Sequence, residues 1–385
     1  MTGEELDRLF SQVFGYPLGE IGHRFGFIVD VPHVPEADTE DWKQRRALVR
    51  HWARTLGNVS GNVCSVFAFE SHGYDNIGLL RTAYELETCQ PVPDSAAELR
   101  QLNHHAHPFD AIYGRSKYWI ALTQYSITAA LKMAAARFGF KAAAMPGFTD
   151  AMIPALRIST DAIHARVSKL AKALTWAECV RICFGVSEKK FDLTLDLRHR
   201  MGFASSGKIE HVGQAGNLPA GEAYAVPYEG EKRGIVSLSS GLLPIEYEGE
   251  IALCEVSENK IVCIDGEGEW VDRFRAFILA DPARANIAEF GLGVLGDWGI
   301  QAIGITLLDE KLALHIATGR SEHLGGVTAP CDFLSTEHVC HVDYIYHKSL
   351  QPHIRILSAD FCRARECIRF MENDHYLDVP FSFDV

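Results

Sequence analysis

Residues 118–148, YWIALTQYSITAALKMAAARFGFKAAAMPGF, combine an apolar run, an alanine-rich run and a closing proline and glycine. The first run predicts a β-strand, and ITAALKMAAARFGF predicts the helix that follows it. Another apolar run, NVCSVFAFE at residues 62–70, predicts a further strand upstream. Strands that alternate with helices are typical of an α/β domain whose sheet is mostly parallel.

The same alternation continues towards the middle of the chain. In residues 161–178, apolar side chains recur at spacings of four, three and four, which predicts one buried helix face. These side chains are Ile163, Val167, Leu170 and Leu174. The segments VRICFG (180–185) and FDLTLDL (191–197) predict two more strands.

The second half of the chain is richer in strands. GIVSLSSGLL, EIALCEV and KIVCIDG, between residues 234 and 266, predict a sheet built from hairpins. Turn-forming residues concentrate in SSGKIEHVGQAGNLPAG, which places a domain boundary between residues 198 and 215. We expect an α/β protein of two domains. The N-terminal α/β domain, 1–200, has a mostly parallel sheet, and the C-terminal α+β domain, 201–385, is rich in antiparallel strands.

Composition excludes several classes of partner. The chain has 385 residues and a formal net charge of -13, without the clustered basic face that nucleic acids or acidic membranes require. No apolar run reaches the roughly 20 residues of a membrane span, and the acidic N-terminus is unlike a signal peptide. We therefore expect a cytoplasmic protein that acts on a peptide or small-molecule substrate. The ten cysteines form no CxxC pair and are expected to stay reduced.

Five residues of metal-ligand type lie in apolar, glycine-punctuated segments of the second half. They are Glu222, Glu289, His315, His341 and Asp343. Residues two apart in a strand face the same side, so His341 and Asp343 can approach one ion together. Burial of three carboxylates and two imidazoles is costly unless a cation balances them. The sequence therefore predicts a metal site, and ligands of this type without thiolate suit zinc, cobalt or manganese.

The order of these segments resembles a known family. NLPAGE, AEFGLG, HIATG, the pair Gly325-Gly326 and HVDY follow one another as in metallo-aminopeptidases of the aminopeptidase T and aminopeptidase S type, which are thermophilic-metalloprotease-like. The stretch 118–148 and DLTLDLRHR are similar to segments upstream of the family's ligand domain. The resemblance covers roughly residues 115–350.

The resemblance implies a reaction and a ligand set. Members of the family use two adjacent divalent metal ions to remove N-terminal amino acids from peptides, and they are usually homodimers. Position by position, the family's ligands correspond to the five residues named above. We expect Glu222 or Glu289 to bridge the two ions, and Glu222 is therefore also a catalytic candidate. A pair of ions can activate a bridging water and polarise the scissile carbonyl.

One loop departs from the family's pattern. Between the histidine strand and the glycines the family usually has a tyrosine followed by proline, whereas this chain has Ser321, Glu322, His323 and Leu324. The tyrosine is expected to stabilise the transition state. Glu322, or His323 in its protonated form, is then the expected catalytic substitute. The alternative is that both side chains lie in a solvated loop.

Two other functions stay open. A branch resembling this family uses the scaffold to hold one Fe(II) and to open dihydroxypyridine rings with oxygen, and such iron sites combine two histidines with one carboxylate. In that branch the position of Glu289 is a histidine, and His315 is not kept as a ligand. The residue types here therefore favour the dinuclear hydrolase. The altered loop also fits a catalytically changed member of a specialised biosynthetic pathway.

Three further features have structural explanations beside functional ones. A histidine cluster ahead of a proline can cap a site, but a surface loop is the better explanation. Its members are His104, His105 and His107. Arg198 and Arg200 are expected to form salt bridges rather than to anchor a substrate. The C-terminal segment 358–385 has a helix-like stretch and an apolar end, which we expect to dock on the fold or on a partner chain.

Overall fold

Strands occur throughout the computed structural model, which describes residues 1–59, 61–74 and 80–377. In chain order the strands are β1 Arg24–Val31, β2 Val63–Glu70, β3 Thr82–Leu86, β4 Ala106–Pro108, β5 Tyr118–Leu122, β6 Lys141–Ala144, β7 Cys179–Val186, β8 Lys189–Asp196, β9 Phe203–Ser205, β10 Ala215–Asn217, β11 Glu222–Ala225, β12 Ser240–Tyr247, β13 Glu250–Ser257, β14 Lys260–Asp265, β15 Ile287–Gly293, β16 Leu314–Gly319, β17 His341–Ile345, β18 Ile354–Arg363, β19 Glu366–Glu372 and β20 His375–Tyr376. The helices are α1 Gly3–Phe14, α2 Glu40–Gly57, α3 Ala96–Arg100, α4 Phe109–Ile112, α5 Thr128–Phe138, α6 Ile153–Leu156, α7 Thr160–Trp176, α8 Glu269–Leu279 and α9 Thr306–Asp309.

The first compact unit comprises residues 1–164 and 205–220. Its seven strands form one sheet in the order β10-β6-β5-β1-β2-β3-β4. Neighbouring strands among β10, β6, β5, β1 and β2 pair in parallel. Strand β3 pairs antiparallel with both β2 and β4. The mostly parallel sheet predicted from the alternation of strands and helices is therefore confirmed.

The centre of this sheet is built around Trp119. Its fully buried ring packs against Phe67 and Phe140, with ring centroids 5.4 and 5.9 Å away. Its register partner on β1 is Gly26, where an added Cβ would lie 2.5 Å from carbons of the indole. Glycine at position 26 thus makes room for the buried indole of Trp119.

The second unit comprises residues 165–204 and 221–385, of which the structure describes those up to 377. One sheet of eight strands has the order β14-β13-β12-β8-β7-β18-β19-β20, and a second sheet of five has the order β17-β16-β15-β11-β9. The neighbours in the eight-stranded sheet pair antiparallel, and so do β11, β15, β16 and β17. The predicted α/β fold class with an antiparallel second part is confirmed.

The two units interleave along the chain, which differs from the single division predicted at 1–200 and 201–385. Residues 165–204 belong to the second unit because β7 pairs with β18 and β8 pairs with β12. Residues 205–220 belong to the first unit because β10 adds to β6 in parallel. Both exchanges rest on hydrogen bonds between strands far apart in sequence, which local turn signals do not encode.

The C-terminal segment and its cysteines differ from expectation. Residues 354–376 form the antiparallel strands β18, β19 and β20, so the predicted helix-like stretch is wrong. Cys362 and Cys367 are register partners with Cα atoms 4.2 Å apart, and they form a disulfide. The expectation that all ten cysteines are reduced is therefore wrong for this pair. The apolar end, residues 378–385, lies outside the described residues.

In the part of the chain that the structure describes, every helix is too short or too polar to cross a bilayer.

Gly26→Ala should destabilise the first unit, because the new methyl group would push the buried indole of Trp119 against its neighbours. Overpacking of this kind costs about 1–3 kcal/mol, so the urea midpoint should fall at an unchanged slope. The matched control is Gly114→Ala, where an added Cβ meets no atom within 4 Å. Equal midpoints for the two variants would contradict the assigned role of Gly26.

Candidate metal centre

The five predicted ligand residues lie on one face of the five-stranded sheet, on strands β11, β15, β16 and β17. Each side chain has a glycine or alanine as a register partner on a neighbouring strand. The pairs are Glu222 with Gly293, Glu289 with Ala317, His315 with Gly291, His341 with Gly319 and Asp343 with Ala317. An added Cβ at Gly291 would lie 2.0 Å from His315 Nε2. The small residues therefore leave the space into which the ligand side chains turn.

The five side chains form two groups that share Glu289. In the first group, His315 Nε2 lies 3.7 Å from Glu222 Oε2 and 3.6 Å from Glu289 Oε1. In the second group, His341 Nε2 lies 3.2 Å from Glu289 Oε2 and 3.5 Å from Asp343 Oδ1. Within each group the candidate ligand atoms lie within 4.8 Å of one another. Glu289 is thus the carboxylate placed to face two cation positions.

Buried polar atoms without partners support a cation. Among the described residues, Glu222 Oε2, His315 Nε2 and Asp343 Oδ1 are buried and accept or donate no hydrogen bond. Buried polar atoms almost always find a partner, and an unpaired buried carboxylate is especially costly. The donor set of carboxylate oxygens and imidazole nitrogens fits a divalent cation.

Both imidazoles are oriented by the backbone. His341 Nδ1 lies 2.8 Å from the carbonyl oxygen of Arg320, and His315 Nδ1 lies 3.3 Å from that of Ala313. A carbonyl accepts a hydrogen bond from Nδ1–H, which leaves Nε2 of each ring directed at the carboxylates. In its neutral form, each ring would therefore offer Nε2 to a metal ion.

The protonation of the site follows from its charges. Burial opposes the charged form of both imidazoles, but the neighbouring carboxylates outweigh burial and raise the pKa of His315 to about 9 and that of His341 well above its usual value. For Glu289, burial alone would raise the pKa of the carboxyl group. The two neighbouring imidazoles outweigh burial and hold this pKa well below its usual range. Without an ion, protonated imidazoles therefore balance the shared carboxylate.

Lys311 is a member of the site that sequence reasoning missed. Its buried ammonium donates to Glu222 Oε1 and to Glu310 Oε1. Burial lowers the pKa of Lys311, but the two carboxylates outweigh this effect and raise it. Lys311 therefore occupies one oxygen of Glu222 and leaves Oε2 for an ion. The available signal was a charged pair, Glu310-Lys311, directly before the apolar histidine strand.

The two catalytic candidates of the altered loop lie beside the groups rather than in them. Glu322 accepts from Arg320, with Arg320 Nε 2.6 Å from its Oε2. The imidazole of His323 meets that of His341 edge-on, with ring centroids 5.1 Å apart. Partial burial, His341 and Arg320 together lower the pKa of His323 to about 4. At neutral pH His323 is therefore a neutral imidazole, not the cationic donor considered from the sequence.

Glu229 anchors this loop, and sequence reasoning did not single it out. Its nearly buried carboxylate accepts hydrogen bonds from Ser321 Oγ at 2.8 Å, Val327 N–H at 2.7 Å and Thr328 Oγ1 at 2.6 Å. Asn286 Nδ2 donates to it at 2.8 Å. One carboxylate thus ties both ends of residues 321–328 to the body of the second unit.

The remaining sequence candidates have structural partners. Arg198 pairs with Asp196, and Arg200 pairs with Glu229 and with Glu231, so the predicted salt bridges are confirmed. The three histidines of the cluster lie in the first unit. The rings of His104 and His105 are tilted against each other with centroids 4.1 Å apart, and His107 Nε2 lies 3.7 Å from Glu85 Oε2.

The solved structures that match the chain include two that align over nearly its full length. The 2,5-dihydroxypyridine dioxygenase from Pseudomonas putida KT2440 has a TM-score of 0.59 and 12% sequence identity, over 99% of this chain and 99% of its own. Wild-type AmpT from Thermus thermophilus has a TM-score of 0.55 and 13% identity, over 97% of this chain and 98% of its own. No protein-family model and no curated sequence matches the chain. Likeness at such low identity shows a shared fold, and the reaction has to be argued from the site.

Glu229→Gln should loosen the loop, because an amide cannot accept at both of the oxygens that now face N–H and O–H donors. We expect faster hydrogen exchange of the Val327 and Thr328 amides and a free energy of unfolding lower by about 2–3 kcal/mol. Glu231→Gln is the matched control, since Glu231 pairs with the same arginine but is more exposed. Unchanged exchange at both amides would show that Glu229 does not hold the loop.

Metal binding should release protons, because His315 and His341 are protonated at pH 7 in the ion-free protein and bind a cation only as neutral rings. Affinity should therefore rise with pH, by about tenfold per unit for each proton released, until pH passes the His315 pKa of about 9. Calorimetry with Zn²⁺ in buffers of different ionisation enthalpy counts the protons. A heat that is independent of the buffer would refute this protonation state.

Proposed function

We propose that the chain is a metal-dependent, aminopeptidase-like hydrolase that removes N-terminal amino acids from peptides. The observation that carries the proposal is the pair of three-residue groups that share Glu289. A shared carboxylate between two cation positions suits a dinuclear hydrolase, in which two ions activate a water and polarise a carbonyl. The fold shared with AmpT, an aminopeptidase T, is consistent with this reaction.

The position of each side chain indicates which of the two ions it would hold. Glu222 Oε2 and His315 Nε2 are placed to hold the first position, and His341 and Asp343 the second, with Glu289 between them. Lys311 fixes Glu222 through its other oxygen, so Glu289 is a better candidate for the bridge than Glu222. The catalytic roles of Glu222, Glu322 and His323 stay proposals, as do zinc, cobalt or manganese as the metal.

A ring-opening dioxygenase with a single Fe(II) is the second candidate. The observation that favours it is the Lys311 ammonium, a positive charge beside the first group that would repel a cation bound there. Among the described residues no lysine or arginine pairs with a carboxylate of the second group, so this group alone can suffice for one ion. The pairing of Glu322 with Arg320 also leaves open a catalytically altered member of a specialised pathway. A peptide or small-molecule substrate, a homodimer and a cytoplasmic location remain predictions.

Anaerobic purification followed by elemental analysis tests the proposal. We expect about two divalent ions per chain and cleavage of dipeptides and aminoacyl-anilides. His315→Ala should lose about one ion per chain and the activity, whereas the control His375→Ala, an exposed imidazole on β20, should change neither. One iron per chain, with oxygen uptake on a dihydroxypyridine, would establish the dioxygenase instead. If the fully metal-loaded protein is inactive in both assays, the remaining hypothesis is a catalytically altered member of a specialised pathway.

A further inference from the structure

Strand β17, which carries His341 and Asp343, forms one edge of the five-stranded sheet. Two backbone hydrogen bonds fix its phase against β16: Arg320 N–H to the Cys340 carbonyl at 2.8 Å, and Tyr346 N–H to the Leu314 carbonyl at 2.9 Å. In an antiparallel ladder, bonded pairs alternate with pairs whose backbone groups point away from the partner strand. The backbone N–H and C=O groups of residues 341, 343 and 345 therefore point outward, away from β16.

This outward edge is closed at one end and open at the other. The carbonyl of Ile345 accepts from Gln351 Nε2 at 3.0 Å and from His347 N–H at 2.9 Å. Within the described ranges, no other residue forms a hydrogen bond with the outward backbone groups of His341 or Asp343. An open edge of this kind is a template for another extended chain.

A cavity of about 520 Å³ runs along the same edge. Four consecutive residues of β17, from Val342 to Ile345, line it on one side, and α8 lines it with aromatic rings. These rings are Trp270, Phe274 and Phe277. The volume lies within the range of small-ligand pockets, and the walls are mostly apolar. A large apolar side chain is the group that such a cavity accepts.

We propose that this edge and its cavity receive an extended peptide, which adds to β17 as a further strand. Successive side chains of a strand face opposite sides of its sheet. One side chain of the added peptide would enter the aromatic cavity beside α8, and its neighbours would lie on the face of Asp343 and His341. The inference rests on the proposed function and names its substrate class: unfolded peptides with a large apolar or aromatic residue near the amino terminus.

The edge suits a peptide better than a second copy of the chain. The open part of β17 is limited to residues 341–343, because Ile345 is already capped. Stable interfaces between proteins bury about 1,200–2,000 Å², which is far more than so short a ladder offers. The cavity is also concave and takes a side chain, whereas a symmetric dimer needs a patch that complements itself. A peptide bound at this edge would also lie beside the candidate metal ligands His341 and Asp343, as a substrate must, whereas a dimer contact has no need of them.

The proposal is tested by the binding of a fluorescent hexapeptide with leucine at alternate positions. The first peptide bond of this peptide is replaced by a reduced amide, so that it cannot be hydrolysed. Thr306 lines the cavity and is exposed at the start of α9, so Thr306→Phe fills the space without disturbing the core. We expect binding about tenfold weaker for Thr306→Phe and unchanged for the control Thr306→Ser. N-methylation of the backbone amides that face β17 should also weaken binding, by about tenfold.

The possible outcomes separate this inference from the proposed function. Peptide binding without hydrolysis of any substrate would remove the hydrolase and keep the strand-binding edge. Hydrolysis of aminoacyl-anilides, with peptide binding absent or insensitive to both Thr306→Phe and N-methylation, would overturn the inference and keep the hydrolase. Light scattering adds one further check. A dimer that dissociates in Thr306→Phe, with no peptide binding in the original protein, would show that a second copy occupies the edge and would also overturn it.

Discussion

The second unit depends on the balance of charge at one face of its five-stranded sheet. Three carboxylates are buried there, and each would be strongly destabilising by itself. Two imidazoles and the Lys311 ammonium supply the opposing charge when no ion is present. Divalent cations would replace the protons of the imidazoles but not the lysine. This face of the sheet therefore contributes to the stability of the unit and is also a site at which bound protons can be exchanged for metal cations.

The order of the strands explains why five residues spread over more than a hundred positions meet. Glu222 enters on β11, Glu289 and His315 on the hairpin-like pair β15 and β16, and the last two ligands on β17. Antiparallel pairing places these four strands side by side, although β12, β13 and β14 lie between β11 and β15 in the sequence, and the small register partners keep the space beside the ligands open. Gly291, in the middle of β15, is the strand position that faces the His315 imidazole.

Much of the fold and of the ligand set was predictable from the sequence, because both depend on local patterns of apolar and polar residues. The alternation of apolar runs predicted the parallel sheet of the first unit, and the spacing of His341 and Asp343 predicted that both lie on one face of a strand. The unpredicted parts depend on contacts between distant residues. Lys311 reaches Glu222 across 89 positions, and Glu229 reaches Thr328 across 99. The disulfide required the register of β18 and β19, which composition alone does not supply.

The small residues opposite the ligands have a consequence for how this sheet tolerates change. Glycine and alanine form few cross-strand contacts, so the ligand face adds little to the cohesion of the sheet. That cohesion comes from the reverse face, where Phe290, Leu292 and Ile316 are fully buried. The two faces of one sheet can therefore diverge independently: the reverse side under selection for packing, and the ligand side under selection for chemistry. A scaffold separated in this way can acquire a new reaction by exchanging a few donors without rebuilding its core.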